Sequence, residues 1–242
     1  MNAGINSANL GMGDEIVIKG VIFDLDGTLY DYHENDKIAM QQLCQFAKSE
    51  FDVDESRFRD IFEEAKKIVK DRVTDGGSRH SRFLHCQTAL ELLNENPFHY
   101  TEKMTQVYWD TFFDHMKLYE GALQFLRGLK DANIKMAICT DMTAEIQYMK
   151  LRRLGIIDFF DAIVTSQETG TEKPAPIMFE LALKKLNIKA SEAAYFGDSL
   201  ERDVEGAAKC GLLPFWYIAN RAIDESKPVT YTKVRSYKDV RF

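Results

Sequence analysis

Cysteine is sparse and scattered in this chain. Cys44, Cys86, Cys139 and Cys210 lie far apart with no CxxC pair. That argues against a disulfide framework or a zinc site and suits a reducing cytoplasm. The five histidines show no HExxH or comparable ligand spacing. No apolar run approaches the length of a transmembrane helix, so no membrane partner is expected. Met1 to Asp14 is rich in Gly, Asn and Ser and lacks a basic stretch followed by an apolar one. It reads as a flexible leader (1–14), not a signal peptide. A basic patch is also missing, and the formal net charge is −7. A nucleic-acid partner is therefore discounted.

What is present is a chain of 242 residues with 45% hydrophobic content, enough for a sizeable core. From Ile16 it reads IVIKGVIFDLDGT, a β-branched apolar run ending in acidic residues and glycine. A buried strand entering a functional loop has this form. Strand-like runs return at 135–139, 162–165, 193–196 and 214–218. Helix-period segments separate them at 121–131, 144–154, 176–186 and 200–210. On 144–154 the apolar stripe is Ile146, Met149 and Leu154. Alternation of strand and helix predicts an α/β, Rossmann-like, doubly wound parallel sheet covered on both faces.

Between Asp31 and Lys117 the pattern changes to four helical stretches, 36–50, 54–73, 78–94 and 101–117. The breaks fall at Asp52, Asp75-Gly76-Gly77 and Asn96-Pro97. The expected organisation is a catalytic core of 15–30 plus 118–242, with 31–117 as an inserted helical-bundle cap. Tyr108, Trp109, Phe112 and Phe113 read as bundle core.

The strongest chemical signal is Asp24-Leu-Asp26-Gly-Thr28 directly after the first strand. Acids at i and i+2 leaving the carboxyl edge of a central strand sit where α/β sheets bind ligands. In a tight loop Asp24 can attack phosphorus as a carboxylate nucleophile. Asp26 can protonate the leaving oxygen and later deprotonate water. The second strand ends in Cys139-Thr140-Asp141, where a hydroxyl and following amides can hold phosphate oxygens or simply cap a helix. Lys173, in Glu172-Lys-Pro-Ala-Pro176, can neutralise phosphate and Asp24, or be a surface lysine before a Pro-initiated helix. Phe196-Gly-Asp198-Ser199 brings another carboxylate to the sheet edge. Mg²⁺ prefers hard oxygens, and Asp24, the carbonyl of Asp26 and Asp198 supply three. Asp203 fits a group acting through water or orienting Lys173, and equally a helix N-terminal acid.

The order of FDLDGT, ICTD, EKPAP and GDSLERD resembles the haloacid dehalogenase superfamily, over Ile16 to about Ile218. The resemblance implies Asp24 as nucleophile, Asp26 as general acid/base, Thr140, Asp141 and Lys173 at the phosphate, and Asp198 at the metal, Mg²⁺. The segment 31–117 looks like the family's helical cap of the first type. Asp141 departs from relatives that often carry Asn. Dehalogenases of the superfamily lack an aspartate at the Asp26 position, so the resemblance implies a phosphatase acting on a nucleotide, sugar phosphate or phospho-acid. The acidic balance is no obstacle, because a bound divalent cation can dominate the local field. A phosphomutase, a phospho-aspartate switch and a phospho-ligand binder are the alternatives. A monomer or a homodimer both fit.

The core motifs touch only the phosphoryl group and metal, so specificity is expected from the inserted helices. Arg79 and Arg82, at i and i+3 after Gly76-Gly77, would share a helix face and read the leaving moiety, with Phe83 stacking on it. Exposed charge being the norm, a solvated helix start with Phe83 packed inside is the simpler account.

Overall fold

The computed structural model describes residues 17–74, 76–219, 221 and 231–240. The leader at 1–14 and Asp75 lie outside the described residues.

Six strands form one parallel sheet in the order β3-β2-β1-β4-β5-β6. They are β1 (Gly20–Phe23), β2 (Lys135–Thr140), β3 (Ala162–Thr165), β4 (Ala193–Gly197), β5 (Leu213–Tyr217) and β6 (Thr232–Val234). Every residue of β1 is buried, as both faces of a parallel sheet must be. Successive side chains point to opposite faces. Val21 and Phe23 enter one apolar cluster with Leu126 and Leu129. Ile22 enters the other, with Met178, Phe179 and Leu186.

Four helices follow β1: α1 (Tyr32–Phe51), α2 (Glu55–Arg72), α3 (Arg82–Leu93) and α4 (Pro97–His115). Here α1 packs on α4, and α3 on both α2 and α4, with Tyr108 and Phe112 fully buried and Trp109 nearly so. The remaining helices are α5 (Ala122–Asp131), α6 (Ala144–Arg153), α7 (Ser166–Thr169), α8 (Pro176–Leu186) and α9 (Gly206–Lys209). Among the described residues no helix is long and apolar enough to cross a membrane.

Two helices start earlier than the sequence suggested. The Asp31 carboxylate accepts the amide of Glu34 at 3.0 Å, so α1 begins four residues before Asp36. Asn96 accepts the amide of Phe98 at 2.9 Å. Pro97 therefore opens α4, where its missing N–H costs nothing. The segment expected as one helix over 200–210 is a π-helical turn, Leu200–Glu205, followed by α9.

The chain leaves β1 for β2 and β3, then returns to lay β4 on the other side of β1. The carboxyl ends of β1 and β4 flank this switch of direction, the place where open α/β sheets hold ligands.

Candidate active site

Asp24 follows β1 and anchors its amide to the carbonyl of Phe196 on β4 at 2.8 Å. The residue is 4% exposed. The Thr28 hydroxyl donates to Oδ2 at 3.0 Å and the Lys173 ammonium to Oδ1 at 2.5 Å. Burial pushes the Asp24 carboxyl well above the usual carboxylate range, against the pull of Lys173. Lys173 also donates to Asp203 Oδ1 at 2.7 Å. Burial works against its charge, but Asp203 and Asp24 hold its pKa well above that of an ordinary lysine.

Asp203 is fully committed to this scaffold. It accepts the Tyr195 hydroxyl at 3.0 Å and the Ser199 amide at 2.9 Å as well. The π-helical turn brings it beneath Gly197, whose backbone leaves no room for a Cβ against Asp203. Asp198 sits on the solvent side. Arg221 Nη1 donates to its Oδ2 at 2.7 Å, and Trp216 Nε1 fixes its carbonyl at 2.9 Å. Burial and the neighbouring Asp203 raise the Asp198 carboxyl. Gly27 adopts φ +85°, and a Cβ there would stand 2.6 Å from Asp198 Oδ2. Only glycine lets the loop pass.

Carboxylate oxygens of Asp24, Asp198 and Asp203 lie within 4.8 Å of one another. Three hard oxygen donors at this spacing fit a cation such as Mg²⁺. Asp203 is the most heavily bonded of the three, accepting from Lys173, Tyr195 and Ser199, whereas Asp24 accepts from Thr28 and Lys173 and Asp198 from Arg221.

Asp26 points to the other flank, toward α6. Lys150 Nζ donates to both of its oxygens, at 2.8 and 2.7 Å. Gln147 Nε2 donates to Oδ2 at 3.1 Å and to Thr140 Oγ1 at 2.7 Å. The Tyr30 hydroxyl donates to Oδ1. Gln147, Lys150 and Tyr30 are absent from the sequence reading. For Gln147 and Lys150 the only signal is a pair of polar residues at i and i+3 on α6, and Tyr30, in the loop after Asp26, carries none. Asp141 turns its carboxylate to the Lys173 amide at 3.0 Å, with Arg202 Nη1 3.6 Å away. Burial raises its pKa, with Lys173 opposing.

These groups line a cavity of about 180 Å³. Asp24, Asp26, Thr140, Asp141, Lys173, Asp198 and Asp203 are all on its wall, together with Tyr32, His33, His80, Met142 and Arg202. Arg79 and Arg82 are not on it. They do not share a helix face either: a 3₁₀ turn, Ser78–His80, ends at extended Ser81, which caps α3. Arg82 is buried in the bundle, donating to Asp36 at 3.0 Å and to the hydroxyls of Tyr32 and Tyr108 at 2.7 and 3.0 Å. Arg79 donates to the Lys70 carbonyl at 2.9 Å. Phe83 is 48% exposed, in neither the bundle core nor this cavity. With Arg82 it lines a neighbouring cleft of about 360 Å³. Gly77 serves close approach, not bending. A Cβ there would meet the Gln167 Cα at 2.7 Å. Next to it, His80 Nε2 pairs with Glu172 at 2.7 Å.

The Arg82 network sets a pH dependence. His85 Nε2 donates to the Arg79 carbonyl at 3.0 Å, and Nδ1 accepts from Arg82 at 3.4 Å. That arrangement needs a neutral ring. Burial, reinforced by Arg82, lowers its pKa from 6.5 to about 3. The unfolded chain therefore takes up this proton near pH 6.5, and the folded one only near about 3. Stability is insensitive to the group above that interval and falls as pH drops through it. Denaturant midpoints should decline more steeply for wild type than for His85→Gln in the upper part of the interval. Equal slopes would remove His85 as the cause.

Residues 18–211 match the family described as haloacid dehalogenase-like hydrolase. The chain belongs to that family. It is 36% identical over 194 residues to a ribulose-1,5-bisphosphate 5-phosphatase of Halopiger xanaduensis, covering 79% of this chain and 81% of that one. It is 34% identical over 202 residues to a glyceraldehyde 3-phosphate phosphatase of Methanopyrus kandleri, covering 81% and 82%. With phosphatase relatives at these identities, this haloacid dehalogenase-like hydrolase is a phosphatase. Its fold is shared with a HAD phosphatase from Thermococcus onnurineus, at TM-score 0.68 and 23% identity over 92% of this chain and 95% of that one. It is shared equally with a 2-haloacid dehalogenase from Pseudomonas syringae, at TM-score 0.69 and 21% identity over 91% and 95%.

Proposed function

We propose that the enzyme hydrolyses the phosphate ester of a small sugar or related metabolite through a phosphoryl group carried on Asp24. The observation that supports this most directly is the separation of two acids two residues apart. Asp24 is buried on Lys173, whereas Asp26 is held on Lys150, and both line one cavity. Different surroundings suit them to different roles. Asp24 attacks phosphorus; its bond to phosphorus forms as the bond to the leaving oxygen breaks, and Asp26 gives that oxygen a proton. Asp26 then takes a proton from water as the water oxygen displaces Asp24 and inorganic phosphate departs. Thr140, the amides after it and Lys173 hold the non-bridging oxygens. Asp24, the Asp26 carbonyl and Asp198 would hold Mg²⁺, which when bound would supply positive charge beside the transferring group.

The segment 31–117 is read as a cap. Tyr32, His33 and His80 come from it and face the cavity, so they replace Arg79 and Arg82 as the groups nearest a leaving moiety. The small cavity suits a short sugar phosphate, and the phosphatase relatives named above act on such compounds. The described cysteines are all free, which fits a reducing cytoplasm.

Phosphate release from a panel of sugar phosphates, nucleotides and phospho-acids, with Mg²⁺ and with EDTA, tests this reading. Turnover of short sugar phosphates that EDTA abolishes is expected. Preference for nucleotides, or turnover indifferent to EDTA, would contradict it. Asp198→Ala should raise the half-activating Mg²⁺ concentration by about tenfold or more, as loss of a direct ligand exceeds the effect of a supporting group. An unchanged Mg²⁺ titration would take Asp198 out of the metal site.

A further inference from the structure

Lys150 has a side chain with 0% exposure. A charge so far from water persists only when it is paired. Its partner is Asp26, contacted at both oxygens. Tyr30 and Gln147 complete the carboxylate's shell. On its other side the ammonium stands 5.4, 5.8 and 5.6 Å from the ring centroids of Tyr32, Trp109 and Phe112, all on α1 or α4. A helix packed only for stability would turn apolar residues inward. Beside Leu151, which is buried in the core, α6 turns Gln147 and Lys150 inward, and both end on Asp26, while Met149 is left 39% exposed.

We infer that Lys150 is a positioning residue for Asp26, fixing the carboxylate at the sheet edge for proton delivery and tying that orientation to the seating of α1 and α4. The inference rests on the proposed role of Asp26 as acid and base. Lys150 exchanges no proton in this scheme. It acts by geometry, and its loss should be felt only where Asp26 is needed.

Leaving groups make that distinction. 4-Nitrophenolate departs without protonation, whereas phenolate gains from it. Because kcat/KM reports only the steps through leaving-group departure, it isolates the acid step from later hydrolysis. With full-length protein and Mg²⁺, Lys150→Met should lower kcat/KM for phenyl phosphate by about 10- to 100-fold, part of the range for general acid catalysis. The loss for 4-nitrophenyl phosphate should be several times smaller. Lys150→Arg, which keeps the charge, should lie between Lys150→Met and wild type, and it carries the test if the methionine variant does not fold. Asp26→Asn combined with Lys150→Met should lose no more than Asp26→Asn alone. Equal losses on the two esters in the Lys150 variants, beside unequal losses in Asp26→Asn, would overturn the inference and leave the role of Asp26 standing. Equal losses in Asp26→Asn itself would overturn both.

Discussion

Asp24→Asn is expected to abolish turnover while leaving the fold intact. Asparagine keeps the shape of the side chain and can still accept from Thr28, but its amide is no nucleophile and gives up a metal-binding oxygen. The expected loss in kcat is on the order of 10⁶, the scale reached when a covalent nucleophile is removed. Stability should move the other way or not at all. Burial disfavours the ionised carboxylate at this position, and Lys173 retains Asp203 as a partner. Active sites commonly hold groups that cost stability. Turnover of the purified variant and its urea midpoint together check the account. Activity within a hundredfold of wild type would place the chemistry elsewhere.

Lys173→Met should give the largest loss of stability among the site variants. The ammonium bridges Asp24 at 2.5 Å and Asp203 at 2.7 Å, with all three side chains buried. Without it two carboxylates face each other out of water. Breaking a buried pair by removing one partner costs about 3–5 kcal/mol, a large part of the roughly 5–15 kcal/mol that holds a domain together. The measurement is urea unfolding in EDTA, so that no cation takes over the lost charge. Repetition with Mg²⁺ should recover part of the loss. A change under about 1 kcal/mol would mean that the carboxylates are satisfied some other way.

Sequence and structure agree where the signal is local. The continuous apolar runs of β1 to β5 announce a sheet buried on both faces, and the acids after β1 and β4 arrive at one edge because the strands are parallel. The third residue of such a site is readable in the same way, since Thr140 ends β2. The short edge strand β6, Thr232–Val234, carries no comparable run and gave no signal. The helical pattern begins at Asp36 in sequence, and the earlier start of α1 rests on the bond from the Glu34 amide to the Asp31 carboxylate. The expectation for α6 was incomplete for a more general reason. Periodicity treats a polar residue as outward-facing and puts Ile146, Met149 and Leu154 on the inner face; Ile146 and Leu154 do pack against the core, but Met149 is 39% exposed. The residues that are in fact fully buried, Gln147 and Lys150, have partners more than 120 positions away. Arg82 misled in the same way: its partners Asp36, Tyr32 and Tyr108 come from α1 and α4, and no local pattern reveals that it is satisfied inside the bundle.

The claim on which the rest depends is that phosphate passes through Asp24. Asp26→Asn offers the sharpest view of it, because 4-nitrophenolate leaves without an acid whereas hydrolysis of the acyl phosphate still needs a base. Rapid-quench mixing of this variant with 4-nitrophenyl phosphate and Mg²⁺ should release a burst of about one nitrophenolate per enzyme. The quenched protein should carry one phosphoryl group on the peptide containing Asp24. Nitrophenolate released without a burst, from protein bearing no phosphoryl group or bearing it on another residue, would contradict the mechanism.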